Sequence, residues 1–106
     1  MSLTRIFFSR DQKHLDYLKQ DVSISDHEVN FLYPTTIALA SFYYWITQFT
    51  KVVVDIETSS TDPYCGQVLL TSFYAGDKVI TFDNLSISVE EMFRGINIKK
   101  IRFIGH

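Results

Sequence analysis

Cysteine is almost absent from this sequence: Cys65 stands alone among 106 residues. No internal disulfide can form, and the paired spacings of a zinc site are missing. The fold does not rely on an oxidising compartment, and a cytoplasmic location is the expectation. Positive charge is also scarce. Ten Lys and Arg against twelve Asp and Glu leave a net charge of −2 and a pI of about 5.8, which argues against gripping nucleic acid through a broad basic field. A polyanion must be held locally or through cations. Long hydrophobic runs are missing too. The most apolar window, "IALASFYYWITQF" at 37–49, contains Ser41, Thr47 and Gln48 and is well short of the ~20 residues needed to span a bilayer, so it reads as a core helix and no membrane partner is expected. The opening "MSLTRIFFSRDQ" lacks the apolar core and cleavage site of a signal peptide. Neither G-x-G-x-x-G nor a Walker sequence occurs, so dinucleotide and kinase readings find no support. Internal repeats and low-complexity tracts are absent as well.

What is present suffices for one small globular domain. The chain is 46% hydrophobic and 15% aromatic, and a chain of this length can bury roughly 65% of its unfolded surface. "LTRIFF" is a short β-prone run. Ser9 and Gln12 after it stand at capping-box spacing, predicting a helix through about Gln20 with Leu15, Leu18 and Tyr17 along its apolar edge. "DVSISDHEVNFLYP" mixes turn formers with apolar residues and is assigned no element. Pro34 then marks a break, and a second helix with Thr35 or Thr36 near its cap runs to about Gln48. Phe42, Trp45, Ile46 and Phe49 fall on one face of it, where packing under a sheet is the expectation and base stacking the alternative.

"KVVVDIE" is continuous and β-branched, as a central strand covered on both faces would be. The polar turn "TSSTDP" closed by Pro63 follows it. "QVLLTSFYA" and "KVITFDN", separated by "GD", carry a strong hairpin signal. "SVEEMFRGI" opens a short helix with Ser88 and Glu91 at capping-box spacing, and "KKIRFIGH" reads as a last strand reached by a helical crossover. The order predicts a mixed sheet in an α/β or α+β layer architecture. An Ile-rich strand at the end of the chain leaves an open sheet edge and an uncovered face, so further sequence, a partner chain or self-association through that edge is expected.

Asp55 and Glu57 are the residues that this architecture does not explain. Strand side chains alternate, so the two carboxylates point the same way while Ile56 enters the opposite layer. Held close and unpaired they repel, a cost that a divalent cation removes. Hard oxygen donors of this kind suit Mg2+ or Mn2+, and such a pair at a strand's carboxyl end suits two-metal phosphodiester cleavage. The alternative is an ordinary strand end meeting solvent.

"FTKVVVDIETSSTDPYCGQVLLTSFYAGDKVITFDN" resembles the first motif of the proofreading 3′–5′ exonuclease domains of family A DNA polymerases of phage and bacterial type. More broadly it resembles the DEDD exonucleases, which include ribonuclease D and have a ribonuclease H-like fold. Those domains show a helix, an apolar strand ending Asp-x-Glu-Thr, a turn closing in Asp-Pro, a strand, a hairpin and a helix. The closing "IRFIGH" is similar to the strand leading into their second motif, Gly-His-Asn with an Asp four residues after the Asn; this sequence stops at His106, one residue before that Asn is due. The resemblance covers 35–106. It implies that these residues are the amino-terminal half of an exonuclease domain, a partial ribonuclease H-like fold, with 1–34 as an extension.

By that resemblance Asp55 and Glu57 are catalytic, metal-binding carboxylates of a site using Mg2+ or Mn2+. Thr58 matches a position that contacts the 3′-terminal nucleotide. Thr61 stands where the family often places a Leu beside the terminal base. The implied partner is the 3′ end of DNA or RNA and the product a nucleoside monophosphate; with the family's other two acids lacking counterparts, this chain alone is expected to be inactive. The reading from another class is a binding or assembly module in which the two acids only cap a strand. Elsewhere, Cys65 reads as an ordinary thiol, and His14 and His27 as solvent-facing histidines. Lys99, Lys100 and Arg102 read as a solvated strand entrance, with phosphate contact as the alternative.

Overall fold

Six strands and three helices organise the residues that the computed structural model describes, which are 3–21, 27–58 and 68–105. In chain order they are β1 (Leu3–Phe8), α1 (Gln12–Asp21), β2 (His27–Leu32), α2 (Thr36–Ile46), β3 (Lys51–Thr58), β4 (Val68–Ala75), β5 (Lys78–Asp83), α3 (Val89–Phe93) and β6 (Arg102–Gly105). The strands form one mixed sheet in the order β2-β1-β5-β4-β3-β6. All run one way except β4, which is antiparallel to both neighbours. The predicted α/β mixed sheet is therefore the fold. Among the described residues no helix is long and apolar enough to cross a membrane.

Alternation along the strands sorts side chains into two layers. Phe8 of β1, Val52 of β3, Phe73 of β4 and Phe82 of β5 share one face with Phe42 and Ile46 of α2 and Met92 of α3, all buried. Phe42 is the hub of this layer. Its ring meets Phe82 edge-on at 4.8 Å and Phe73 at 5.4 Å, and Phe73 meets Phe93 and Phe103 at 5.8 and 6.2 Å, the offset geometry that aromatic quadrupoles favour. α1 lies on the other face, over the Phe7–Phe31 stack (5.2 Å), with Leu15 buried beneath it.

Local chemistry sets the element ends. Thr35 caps α2 by accepting from the backbone N–H of Ala38, and Ser88 caps α3 by accepting from Glu91. The β4–β5 hairpin closes on Gly76 and Asp77, with Gly76 at φ +57 and, among the described residues, no non-glycine residue at positive φ. A glycine in the first central position is what a II′ turn demands. A methyl group at Gly76 would also meet the Phe49 ring at 3.0 Å.

Three local expectations differ from the structure. Residues 27–32 form β2, paired in parallel with β1, although turn-rich composition gave no strand there; the pairing supplies what local propensity withheld. Ser9 does not cap α1. Asp11 does, accepting from the Lys13 N–H through Oδ1 and from Leu15 through its carbonyl, because Ser9 is drawn instead into a buried contact with Asp83. β3 is also not covered on both faces: it lies next to the edge, Val52 is buried, and Val53 and Val54 are only partly so.

Truncating the aromatic hub should cost far more than truncating the outer face of α2. Phe73→Ala is expected to lower unfolding free energy by about 3–5 kcal/mol, and Tyr44→Ala, at a residue 71% exposed, by no more than about 0.5 kcal/mol. Urea unfolding followed by circular dichroism reads both.

Candidate nuclease site at the carboxyl end of the sheet

The register of β3 determines where its acids stand. Burial of Val52 against α2 commits Val54 and Ile56 to the same layer, so Asp55 and Glu57 occupy the opposite face. Asp55 sits across from Ser72 of β4 and Glu57 across from Leu70. On the other side, the described residues of β6 pair with β3 as far as Val54, opposite Gly105. The register with β4 then shifts between Glu57 and Thr58, a bulge of the kind that re-aims side chains beside functional sites.

Asp55 is half-buried and Glu57 exposed. Among the described residues no hydrogen bond or ion pair engages either carboxylate. Thr58 ends the strand in an exposed position. Thr61, Cys65 and His106 lie outside the described residues. Two unengaged carboxylates on one face are the donor type that Mg2+ or Mn2+ takes, so they fit one side of such a site. No group of three His, Cys, Asp or Glu able to hold a metal occurs among the described residues.

A third acid stands at the same end and on the same face. Asp83 ends β5 opposite Leu70, which in turn faces Glu57, so Asp83 and Glu57 lie two strand spacings, or about 10 Å, apart. Asp83 is engaged elsewhere. It is 4% exposed and accepts from Ser9 Oγ at 2.7 Å, Ser86 Oγ at 3.0 Å and the Leu85 N–H at 3.1 Å, with His14 Nδ1 at 2.6 Å. Burial opposes its charge, and these hydrogen bonds outweigh burial and hold its carboxyl below the usual value. His14 Nε2 lies 3.5 Å from Asp11. This is not a nucleophilic triad, since Ser9 bonds the carboxylate and not the imidazole. It is a clasp joining β1, α1 and β5.

The His14 side chain keeps its exposure to solvent in part, and the clasp adds partners that the solvent-facing reading did not include. Its partners are 69 and 74 residues apart in sequence, so only the fold brings them together. Beside it, Arg10 forks onto Glu91, with Nη1 to Oε2 at 2.7 Å and Nη2 to Oε1, tying the same corner to α3. Lys99, Lys100 and Arg102 are exposed at the start of β6, and Arg102 lies opposite Lys51. That is the amino end of the parallel strands, away from Asp55 and Glu57, and a solvated strand entrance is what the position supports.

Comparison with known proteins follows this geometry. No family model matches the chain, and no curated protein matches it by sequence. Among solved structures it is similar to Escherichia coli RNase D, an exoribonuclease involved in structured RNA processing, at 25% identity and a TM-score of 0.52 over 68% of this chain and 20% of that one. It is also similar to the EXO domain of Aedes aegypti Nibbler, at 8% identity and a TM-score of 0.52 over 94% of this chain and 38% of that one. The chain thus spans between a fifth and two fifths of the length of these neighbours. The mixed six-stranded sheet matches their ribonuclease H-like exonuclease fold.

The clasp gives stability a pH dependence of definite sign. The hydrogen bond to Asp83 raises the His14 pKa above 6.5, against the opposing pull of desolvation, with further help from the charges of Asp83 and Asp11. A raised histidine stabilises fully below its unfolded value and loses that contribution as pH rises through its folded value. The lowered Asp83 stabilises above its unfolded value near 3.8 and loses that contribution as pH falls through its folded value. Thermal midpoints are therefore expected to peak between about pH 4 and 6.5 and to fall on the alkaline side. His14→Gln should flatten that alkaline limb in differential scanning calorimetry.

Proposed function

We propose that this chain carries the first half of a metal-dependent 3′–5′ exonuclease site. The observation that carries the reading is the pair Asp55 and Glu57, unengaged on one face of β3 at the carboxyl end of a sheet similar to that of RNase D. In open α/β sheets the carboxyl ends of parallel strands are where ligands bind.

Asp55 and Glu57 would hold Mg2+ or Mn2+. The cation would supply water activation and charge neutralisation at a terminal phosphodiester, releasing nucleoside monophosphates. The chain's own residues provide position. Asp55 is half-buried across from Ser72, and Thr58 and Thr61 would contact the terminal nucleotide. The substrate is a nucleic-acid strand. The polymerase-like first motif favours DNA and a proofreading role within a cytoplasmic polymerase, and the likeness to RNase D favours RNA.

A second reading rests on a specific observation. No group of three metal-holding side chains occurs among the described residues, which leaves room for a binding or assembly module whose acids merely end a strand. Titration calorimetry with Mn2+ separates the two. The exonuclease reading predicts that Asp55→Asn weakens Mn2+ binding at least about tenfold, because even outer-shell losses at metal sites cost 10–100-fold. The module reading predicts unchanged affinity and a gain in stability from relieved repulsion. Residues 1–106 are expected to bind a single-stranded oligonucleotide better with Mn2+ than in EDTA, without shortening it. Metal-dependent trimming lost in Asp55→Ala would overturn the expectation of binding without turnover.

A further inference from the structure

At the other side of the same sheet end lies a cleft of roughly 350 Å³ lined by Ser9, Arg10, Gln12, Leu15, Phe31 and Tyr33. Its place follows from topology. β1 departs to α1 on one face, whereas its neighbour β2 departs to α2 on the opposite face. Adjacent parallel strands whose connections leave in opposite directions open a crevice beyond their carboxyl ends, the usual ligand position in open α/β sheets. Ser9 and Arg10 follow the last residue of β1, and Tyr33 follows the last residue of β2.

The lining restricts what can bind. Leu15 is buried and Phe31 stacks on Phe7 at 5.2 Å, which gives an apolar floor. Tyr33 is 60% exposed, a large aromatic surface left to water at the rim. Among the described residues no carboxylate lines the cleft, which does not favour a cation. Arg10 is neutralised by its fork onto Glu91, beside which it also interacts with Tyr33, so the cleft does not suit a ligand bound by its negative charge alone. Gln12 donates through Nε2 to Asp16 at 2.9 Å and keeps its carbonyl oxygen as an acceptor. What remains is a flat, neutral, aromatic ligand with a polar edge. The volume lies at the lower end of small-molecule sites.

We propose that this cleft binds a nucleobase, stacked on Tyr33 with its polar edge toward Arg10 and Gln12. Arg10 is fixed in advance by Glu91 and by its bond through Nη1 to the Ser86 carbonyl at 3.3 Å, so little side-chain freedom is lost on binding. The site is separate from Asp55 and Glu57, being on β1 and β2 at the far side of β5 and β4. It therefore stands or falls independently of the exonuclease reading.

The test is a ¹H–¹⁵N NMR titration of residues 1–106 with AMP in EDTA. Perturbations are expected to centre on Arg10, Gln12, Phe31 and Tyr33. Tyr33→Ala should weaken binding about tenfold, as loss of a base-stacking aromatic does, and Tyr33→Phe should stay within about twofold. Ribose 5-phosphate should leave these amides unmoved. The proposal is overturned if ribose 5-phosphate shifts the same amides as strongly, or if Tyr33→Ala, folded by its spectrum, binds like the unaltered protein. It is overturned as well if AMP perturbs nothing without a divalent cation but shifts Asp55–Thr58 with one, or if N-acetyltryptophanamide occupies the cleft and AMP does not.

Discussion

Burial of Val52 against α2 is the constraint on which the rest of this structure turns. A strand has a side-chain period of two, so fixing one residue in the core fixes the face of every other residue in the strand. With Val52 fully buried and Val54 and Phe103 packed against the same aromatic layer, Asp55 and Glu57 have no choice of side. A slip by one residue would turn Asp55 and Glu57 to the face that Val54 and Ile56 now occupy, against an apolar layer that offers a carboxylate nothing. The hydrophobic layer thereby aims the polar pair.

The same sheet end holds carboxylates in two contrasting states. Asp83 is enclosed by hydroxyl, imidazole and backbone donors. Asp55 and Glu57 have no such partners among the described residues and sit toward the carboxyl end of β3. One acid is committed to holding β1, α1 and β5 together. The other two keep their charge available for a ligand. This contrast between an acid committed to the fold and two that are not is the physical case for the proposal that function lies at Asp55 and Glu57.

Much of this was legible in the sequence where the signal is local. Thr35 and Ser88 cap their helices as their spacing implies, "GD" closes the hairpin, and the face made by Phe42, Trp45, Ile46 and Phe49 packs under the sheet. The carboxylate pair was legible through strand periodicity and through resemblance to a first exonuclease motif. What escaped was non-local. β2 has turn-rich flanks and exists because β1 pairs with it, and the clasp unites Ser9, His14 and Asp83 across more than 60 residues, which no window along the chain can register. Ser9 shows the conflict most plainly: its spacing suggested a helix cap, and the buried Asp83 claimed its hydroxyl.

Paramagnetic broadening by substoichiometric Mn2+ in the NMR spectrum of residues 1–106 tests the central claim most directly. If the register of β3 builds a hard-cation site, amides of Asp55–Thr58 and of Leu70–Ser72 across from them should broaden first, while those around Lys99–Arg102 stay sharp. Broadening centred on Asp11 and Asp16, or spread evenly over the acidic surface, would contradict it, leaving Asp55 and Glu57 as an ordinary end to a strand.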